Sequence, residues 1–220
     1  DWLRRGALGS YRVLAKGLSR SPAMIEFLDL QRSRPEAPNE NFARELLELF
    51  TLGEGHYTEA DIKEAARAFT GYRRQGVEFR FVRRLHDPGM KTVFGQSGRF
   101  DGDDVIDRIF AQPAARRFLV REMARFYLTE EPLPEAYLAP LGDWWAGQDF
   151  SLAKLLPAFF GSRLFFAPEF RGNFIKSPVH FYLGLVQDLD LAPAPLPRRV
   201  IGALRQMGQV PYQAPNVRGW

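Results

Sequence analysis

Residues 39–72 read NENFARELLELFTLGEGHYTEADIKEAARAFTGY, and this stretch decides the fold. Asn39 follows Pro38 and is a residue type that caps helix N-termini. A helix from there runs to about Leu52, where Gly53 and Gly55 supply a stop. Thr58-Glu59-Ala60-Asp61 has the form of a capping box, with Asp in place of the usual Glu or Gln. The second helix runs to about Thr70 and ends at Gly71. Ile62, Ala65, Ala66 and Phe69 form its apolar face, and the small residues among them allow another helix to approach closely. The pattern is a helical hairpin of period 3.6, joined by a short loop through His56.

The same logic extends outward on both sides. On the N-terminal side, SYRVLAKGLSR places Tyr11, Leu14 and Leu18 on one helical stripe, and Ser21-Pro22 opens a further short helix. Residues 31–38 hold two prolines and no apolar period, and so form a surface loop. After residue 76 the period drops to 2. Val77, Phe79 and Phe81 alternate with Glu78 and Arg80, residues 86–89 (HDPG) form a turn, and Lys91 to Phe94 is the return strand. Asp101, with Asp104 three residues on, caps a helix that buries Val105, Ile109 and Phe110. Pro113 opens a longer helix with Phe118, Leu119, Met123, Phe126 and Tyr127 on its apolar face. Helices follow at about 134–146 and 151–161, and Pro157 is expected to bend or shorten the latter. Ser177-Pro178 opens a helix to about Leu189. A linker containing Pro195 and Pro197 precedes a last helix closed by Gly208. The fold class is mainly α: one compact multi-helix domain over residues 1–220, with one small β-hairpin at about 77–94.

Composition narrows the function classes. The 220 residues are 45% hydrophobic and 14% aromatic, enough for a core and too apolar for a disordered chain. Cysteine is absent, which excludes disulfides, thiolate metal sites and a cysteine nucleophile. The net charge of +4 comes mainly from arginines spread along the chain. No basic run interleaved with aromatics is present, so no nucleic-acid partner is expected. No apolar run reaches the ~20 residues of a membrane span.

The polar residues of residues 39–52 are placed less simply. On a helical wheel Phe42, Leu46, Leu49 and Phe50 occupy about a third of the circle. Asn41, Glu45 and Glu48 line one border of that stripe, and Glu45 lies closest to it. A carboxylate so placed needs a partner or a proton. Three readings stay open. Glu45 and Glu48 pair with Arg67, Lys63 or a more distant arginine. Alternatively they join a divalent metal site of oxygen ligands, with His86 or Asp87 added from the HDPG turn. In the third reading they are a general acid/base pair. His86-Asp87 is the most suggestive histidine context, although Asp87 before Pro88-Gly89 already has a turn-forming reason to be there. FDGDDVID (residues 100–107) lacks the later Gly and the bidentate Glu of a calcium loop, and its acids read as a cap and first-turn charges. GQSG (95–98) lacks the Lys-Ser/Thr of a phosphate loop, and no GxSxG elbow occurs. No cofactor motif is evident; a divalent metal is the one that the Glu45, Glu48, His86, Asp87 reading admits.

Taken together, NENFARELLELFTLG, YTEADIKEAARAFTG, HDPGMKTVFGQSGRFDGDDVID, FLVREMARFYL, RGNFIKSPVHF and the final PNVRGW resemble, in order, the landmarks of the bacterial domain of unknown function 1800 family. The resemblance covers the whole sequence. It implies a mainly helical domain of which this is the C-terminal portion, with the family's N-terminal helical half and the glycine-rich sequence after NVxGW absent. It implies export, to the periplasm or beyond, and no established activity. It also implies a partner, an exported protein related to sulfatases and encoded nearby. Asn216, Arg218 and Trp220 in the last motif are then candidate interaction residues. The expected function is a binding or assembly role with a partner protein. The alternative is a metal-assisted hydrolase or metal-stabilised domain using Glu45 and Glu48 with His86 and Asp87. The family's usual Asn before the central helix is not found in residues 31–38.

Overall fold

A computed structural model describes residues 2–191, 198–216 and 219. The linker prolines Pro195 and Pro197 and the candidate interaction residues Arg218 and Trp220 lie outside the described residues. The chain divides into two compact units, Asp1–Arg171 and Gly172–Trp220. The fold is mainly α, with two small antiparallel sheets of two strands each.

The first unit opens with α1 (Trp2–Gly6), α2 (Tyr11–Ser19) and α3 (Pro22–Phe27), then the central pair α4 (Glu40–Glu48) and α5 (Glu59–Ala68). Two hairpins follow: β1 (Tyr72–Gln75) with β2 (Glu78–Phe81), and β3 (Lys91–Val93) with β4 (Gln96–Gly98). Four helices complete it: α6 (Gly102–Ala111), α7 (Pro113–Tyr127), α8 (Glu135–Ala146) and α9 (Leu152–Phe160). The second unit holds α10 (Pro178–Asp188) and α11 (Arg198–Gln206). There the Ser177 hydroxyl caps α10 and Val179 N–H donates to Gln209 Oε1 at 3.0 Å, tying the start of α10 to the residues after α11.

The caps form as the sequence dictates. Asn39 Oδ1 accepts from Asn41 N–H at 2.9 Å. Thr58 with Asp61, and Asp101 with Asp104, form reciprocal capping boxes. Asp61 does more than cap: its second oxygen accepts the Phe94 amide at 2.7 Å, at the tip of the β3–β4 hairpin. Pro113 occupies the first turn of α7. Ile62, Ala65, Ala66, Ala68 and Phe69 are fully buried, so α5 is enclosed by α4, α6 and β3. Arg44 clamps α4 to α5 by a two-pronged pair with Glu59, both contacts 2.9 Å. A second aromatic centre joins α2, α6 and α8, where Tyr11, Phe110, Trp145 and Phe150 meet edge-on or tilted.

Four sequence expectations need correction. The strand at 78–81 does not pair with 91–94. It pairs backward with 72–75, and 91–93 pairs forward with 96–98. Both hairpins use two-residue turns, Gly76-Val77 and Phe94-Gly95, in which Gly76 (φ 61°), Phe94 (φ 49°) and Gly95 (φ 73°) take the positive φ that such turns need. A two-residue closure matches strand twist and loses less chain entropy than the 82–90 loop would. Secondly, α4 stops at Glu48, because the Thr51 hydroxyl takes Leu46 O and the Leu52 and Gly53 amides take Leu47 O. Its buried face is therefore Phe42, Ala43, Leu46 and Leu47, while Leu49 and Phe50 leave the helix and are half-buried. Thirdly, α9 continues through Pro157 to Phe160; one missing N–H is outweighed by burial of Leu155 and Phe159. Finally, Phe126 and Tyr127 are exposed rather than buried.

Gly142 marks the closest approach of α7 and α8: a Cβ there would lie 2.6 Å from Arg116 O, a backbone atom that cannot step aside. Gly142→Ala is expected to destabilise by about 1–2 kcal/mol net of alanine's better helix propensity. Gly202→Ala in α11 meets nothing within 4 Å and is expected to stabilise by roughly 0.5–1 kcal/mol. Chemical denaturation of both variants reads the contrast, and equal effects would sink this account of the α7–α8 contact.

Candidate functional site

The last turn of α5 presents Glu64, Arg67 and, just beyond it, Thr70. The segment from His86 to Thr92 folds back over this end and is bonded to it at nearly every residue. Arg67 is the hinge of the network. Its Nε donates to Asp87 Oδ2 at 2.7 Å, and its Nη1 donates to Glu64 Oε2 at 2.8 Å and to Met90 O at 3.0 Å. Glu64 Oε2 also accepts the Thr92 amide at 2.9 Å, carrying the network into β3.

Asp87 is bonded on all sides. Oδ1 accepts Gly89 N–H at 2.8 Å, closing the turn that the Asp-Pro-Gly sequence calls for. Its own amide donates to Thr70 Oγ1 at 2.8 Å. Burial opposes ionisation of Asp87, but the Arg67 and Gly89 bonds prevail and hold its carboxyl below the usual value of 3.8. The Asp87 bond in turn, against the cost of burial, raises the pKa of Arg67 further. Gly71 (φ 83°) admits this arrangement because a Cβ there would meet Val82 O at 2.9 Å and His86 Cβ at 3.1 Å.

Lys91 is the residue that sequence reasoning missed. It is only 1% exposed, and its Nζ donates to Asp87 O at 2.6 Å and Gly89 O at 3.1 Å. Burial lowers its pKa, partly offset by the charge of Asp87. The available signal was its place in HDPGMK: a lysine two residues after a turn glycine can reach back to the carbonyls of that turn. His86 lies against the Phe81 ring at 5.3 Å. Its Nδ1 sits 3.0 Å from Thr70 O. A carbonyl can only accept, so Nδ1 carries the proton and, in the neutral ring, Nε2 carries the lone pair.

The remaining sequence candidates lie apart from these bonds. Asn41 is exposed, and its side chain reaches Leu28 O at 3.4 Å. Glu45 is half-buried on α4. Glu48 accepts from Tyr57 OH at 2.7 Å, and burial followed by this bond raises the tyrosine's pKa. The expected pairing of Arg67 with Glu45 or Glu48 is replaced by Glu64 and Asp87. Among the described residues no three His, Asp or Glu side chains come together as a group that could hold a metal. Asn216 is exposed in the second unit, and Gly219 N–H donates to its carbonyl at 3.2 Å. The FDGDDVID acids, besides capping α6, reach α2: Asp103 pairs with Arg20 and Asp107 with Lys16.

The Arg67 and Asp87 side chains are only 27% and 14% exposed, so their pair is little screened. Asp87→Asn should cost about 1.5–3 kcal/mol at neutral pH, the scale of a bond to a charged group. Because the folded carboxyl titrates below 3.8, this contribution is complete above that value and disappears as pH falls through the folded pKa. Denaturant melts of wild type and variant from pH 7 downward check it: a gap that stays constant across the acid range would refute the assignment.

In comparisons with known proteins, the family model described as "Protein of unknown function (DUF1800)" matches residues 1–220. No curated protein and no solved structure matches the chain.

Proposed function

Since the chain belongs to the DUF1800 family, a family of unknown function matched over its whole length, we propose that it is a binding or assembly protein working with a partner protein. The observation that carries this reading is the outer face of α8. Leu138 and Trp145 of that helix are buried at 1% and 0% exposure, while Tyr137 and Trp144, seven residues apart and so on one face, are 60% and 44% exposed. A helix that is apolar on both sides calls for cover on both. Exposed Tyr and Trp are the residue types that anchor protein interfaces. The most heavily bonded polar residues, by contrast, are engaged within the chain: Arg67, Asp87, Glu64 and Lys91 hold α5 to the loop after the first hairpin. No helix of the described residues is long and apolar enough to cross a membrane. Export, and a partner of the sulfatase-related kind, extend this proposal on the family resemblance, with Asn216, Arg218 and Trp220 as further contact candidates.

The metal-assisted alternative draws on one feature, the lone pair on His86 Nε2, which is the form in which histidine ligates metals. In it Glu45, Glu48 and Asp87 complete the ligand set, which requires Asp87 to leave Arg67.

The test is affinity purification of the full-length protein, without chelator, from the organism that makes it. A stoichiometric partner is expected with wild type and is lost with Tyr137→Ser plus Trp144→Ser. These are surface changes, expected to alter stability by only about 0.5 kcal/mol each. Undiminished partner recovery from the double variant removes α8 from the reading. Stoichiometric divalent metal in the same preparation, abolished by Glu48→Gln and His86→Ala, favours the alternative.

A further inference from the structure

The first hairpin carries an arrangement of charge independent of the surfaces above. Arg73 of β1 and Arg80 of β2 are directly opposed in the strand register. Side chains so placed have Cβ atoms about 4.5–5.5 Å apart, and like charges there repel. Arg73 is 7% exposed, and its guanidinium is turned onto backbone carbonyls. Nη1 donates to Tyr72 O at 2.7 Å and Leu30 O at 3.3 Å, and Nη2 donates to Ser33 O at 2.5 Å. Ser33 O belongs to the peptide that joins Ser33 to Arg34, so the Arg34 backbone lies against the same guanidinium. A tight turn fixes it there, with Arg34 N–H donating to Ala37 O at 3.3 Å and Ala37 N–H returning to Arg34 O at 3.1 Å. Burial, and then the charge of Arg34, lower the pKa of Arg73.

Arg34 and Arg80 are both exposed. Arg80 donates to Gln75 Oε1 at 2.7 Å, a neutral acceptor. Among the described residues none of the three arginines has a carboxylate partner, whereas Arg20, Arg44, Arg67 and Arg74 each sit on an Asp or Glu. Glu36 and Glu78, the nearest acids in sequence, are exposed and bond to none of the three. Three guanidinium groups have thus been gathered at one edge of the hairpin with no internal anion to offset them.

We propose that Arg34, Arg73 and Arg80 form an oxyanion site for a phosphate-class dianion. Arg34 and Arg80 supply planar forks suited to two-pronged contact with oxyanions. Arg73, fixed by its carbonyls, is the immobile positive charge behind them. A bound dianion relieves the cross-strand repulsion, so binding stabilises the hairpin.

Calorimetric titration and thermal denaturation of the full chain test this, with inorganic phosphate and methyl phosphate as probes and sodium chloride and acetate at matched ionic strength as controls. Saturable binding of a phosphate species, with a rise in Tm, is expected. Arg34→Gln and Arg80→Gln should each weaken it about tenfold or more. In chloride alone, Arg80→Gln should leave Tm unchanged or higher, because it removes the repulsion; Arg80→Lys keeps the charge, loses the fork and should bind with intermediate affinity. Arg73 is left intact because its carbonyl contacts belong to the fold. Tighter binding of methyl phosphate than of phosphate identifies an ester as the ligand; the reverse identifies the free ion. An equal Tm rise in chloride or acetate, or unweakened binding by both glutamine variants, overturns the site.

Discussion

Burial of a helix whose core-facing side chains are mostly methyl-sized is the constraint on which the first unit depends. Ile62, Ala65, Ala66 and Ala68 let α4, α6 and β3 come close to the α5 backbone, and Phe69 closes the end of that face. The approach is tight enough that Gly102, at the start of α6, has no room for a Cβ beside Phe69 and Tyr72. Small side chains give short interaxial distances and little tolerance, since every added carbon must displace a neighbour. Neighbours that dock at such range need their own ends fixed, which is what the capping boxes at Thr58–Asp61 and Asp101–Asp104 do.

Only one side of α5 remains for polar groups, and the Glu64–Arg67 pair occupies it. The loop from His86 to Thr92 then has to supply an acid for Arg67, acceptors for a buried lysine and an amide for Glu64. It does so with Asp87, with the carbonyls of Asp87 and Gly89, and with Thr92. Lys91 shows how the balance is struck. Its desolvation is costly, yet two carbonyl acceptors at bonding distance keep it within the fold. The first hairpin resolves a similar cost differently: Arg73 also uses carbonyls, but its cross-strand neighbour is another arginine.

Local rules were readable in the sequence and distant ones were not. Thr58-x-x-Asp61, Asp101-x-x-Asp104 and Pro113 announce their helices because each cap is made within four residues. Ile62, Ala65, Ala66 and Phe69 announce a buried face because the helix is regular from end to end. The wheel for residues 42–50 failed where α4 stops at Glu48, and no wheel describes residues past the last helical turn. The hairpins were misassigned because residues 72–75, YRRQ, show no alternation; Arg73 is buried by carbonyls, a means of burial that polarity patterns do not register. Arg67 and Asp87 were visible as unusual residues, but not as partners of each other. Their true company, Glu64 and Lys91, has ordinary-looking spacing, and only the return of the chain over α5 gives those two residues their role. The α2–α6 pairs Lys16–Asp107 and Arg20–Asp103 were hidden for the same reason, with more than eighty residues between partners.

Asp61 serves two elements with one carboxylate: one oxygen closes the cap of α5 and the other holds the Phe94 amide at the hairpin tip. A ten-residue helix and a hairpin with three-residue strands are each marginal alone. Through Asp61 they open and close as one cooperative segment: fraying at the first turn of the helix releases the β-turn, and loosening of the β-turn unseats the helix. The boundary of local unfolding in this part of the molecule therefore runs around the pair and not between its members.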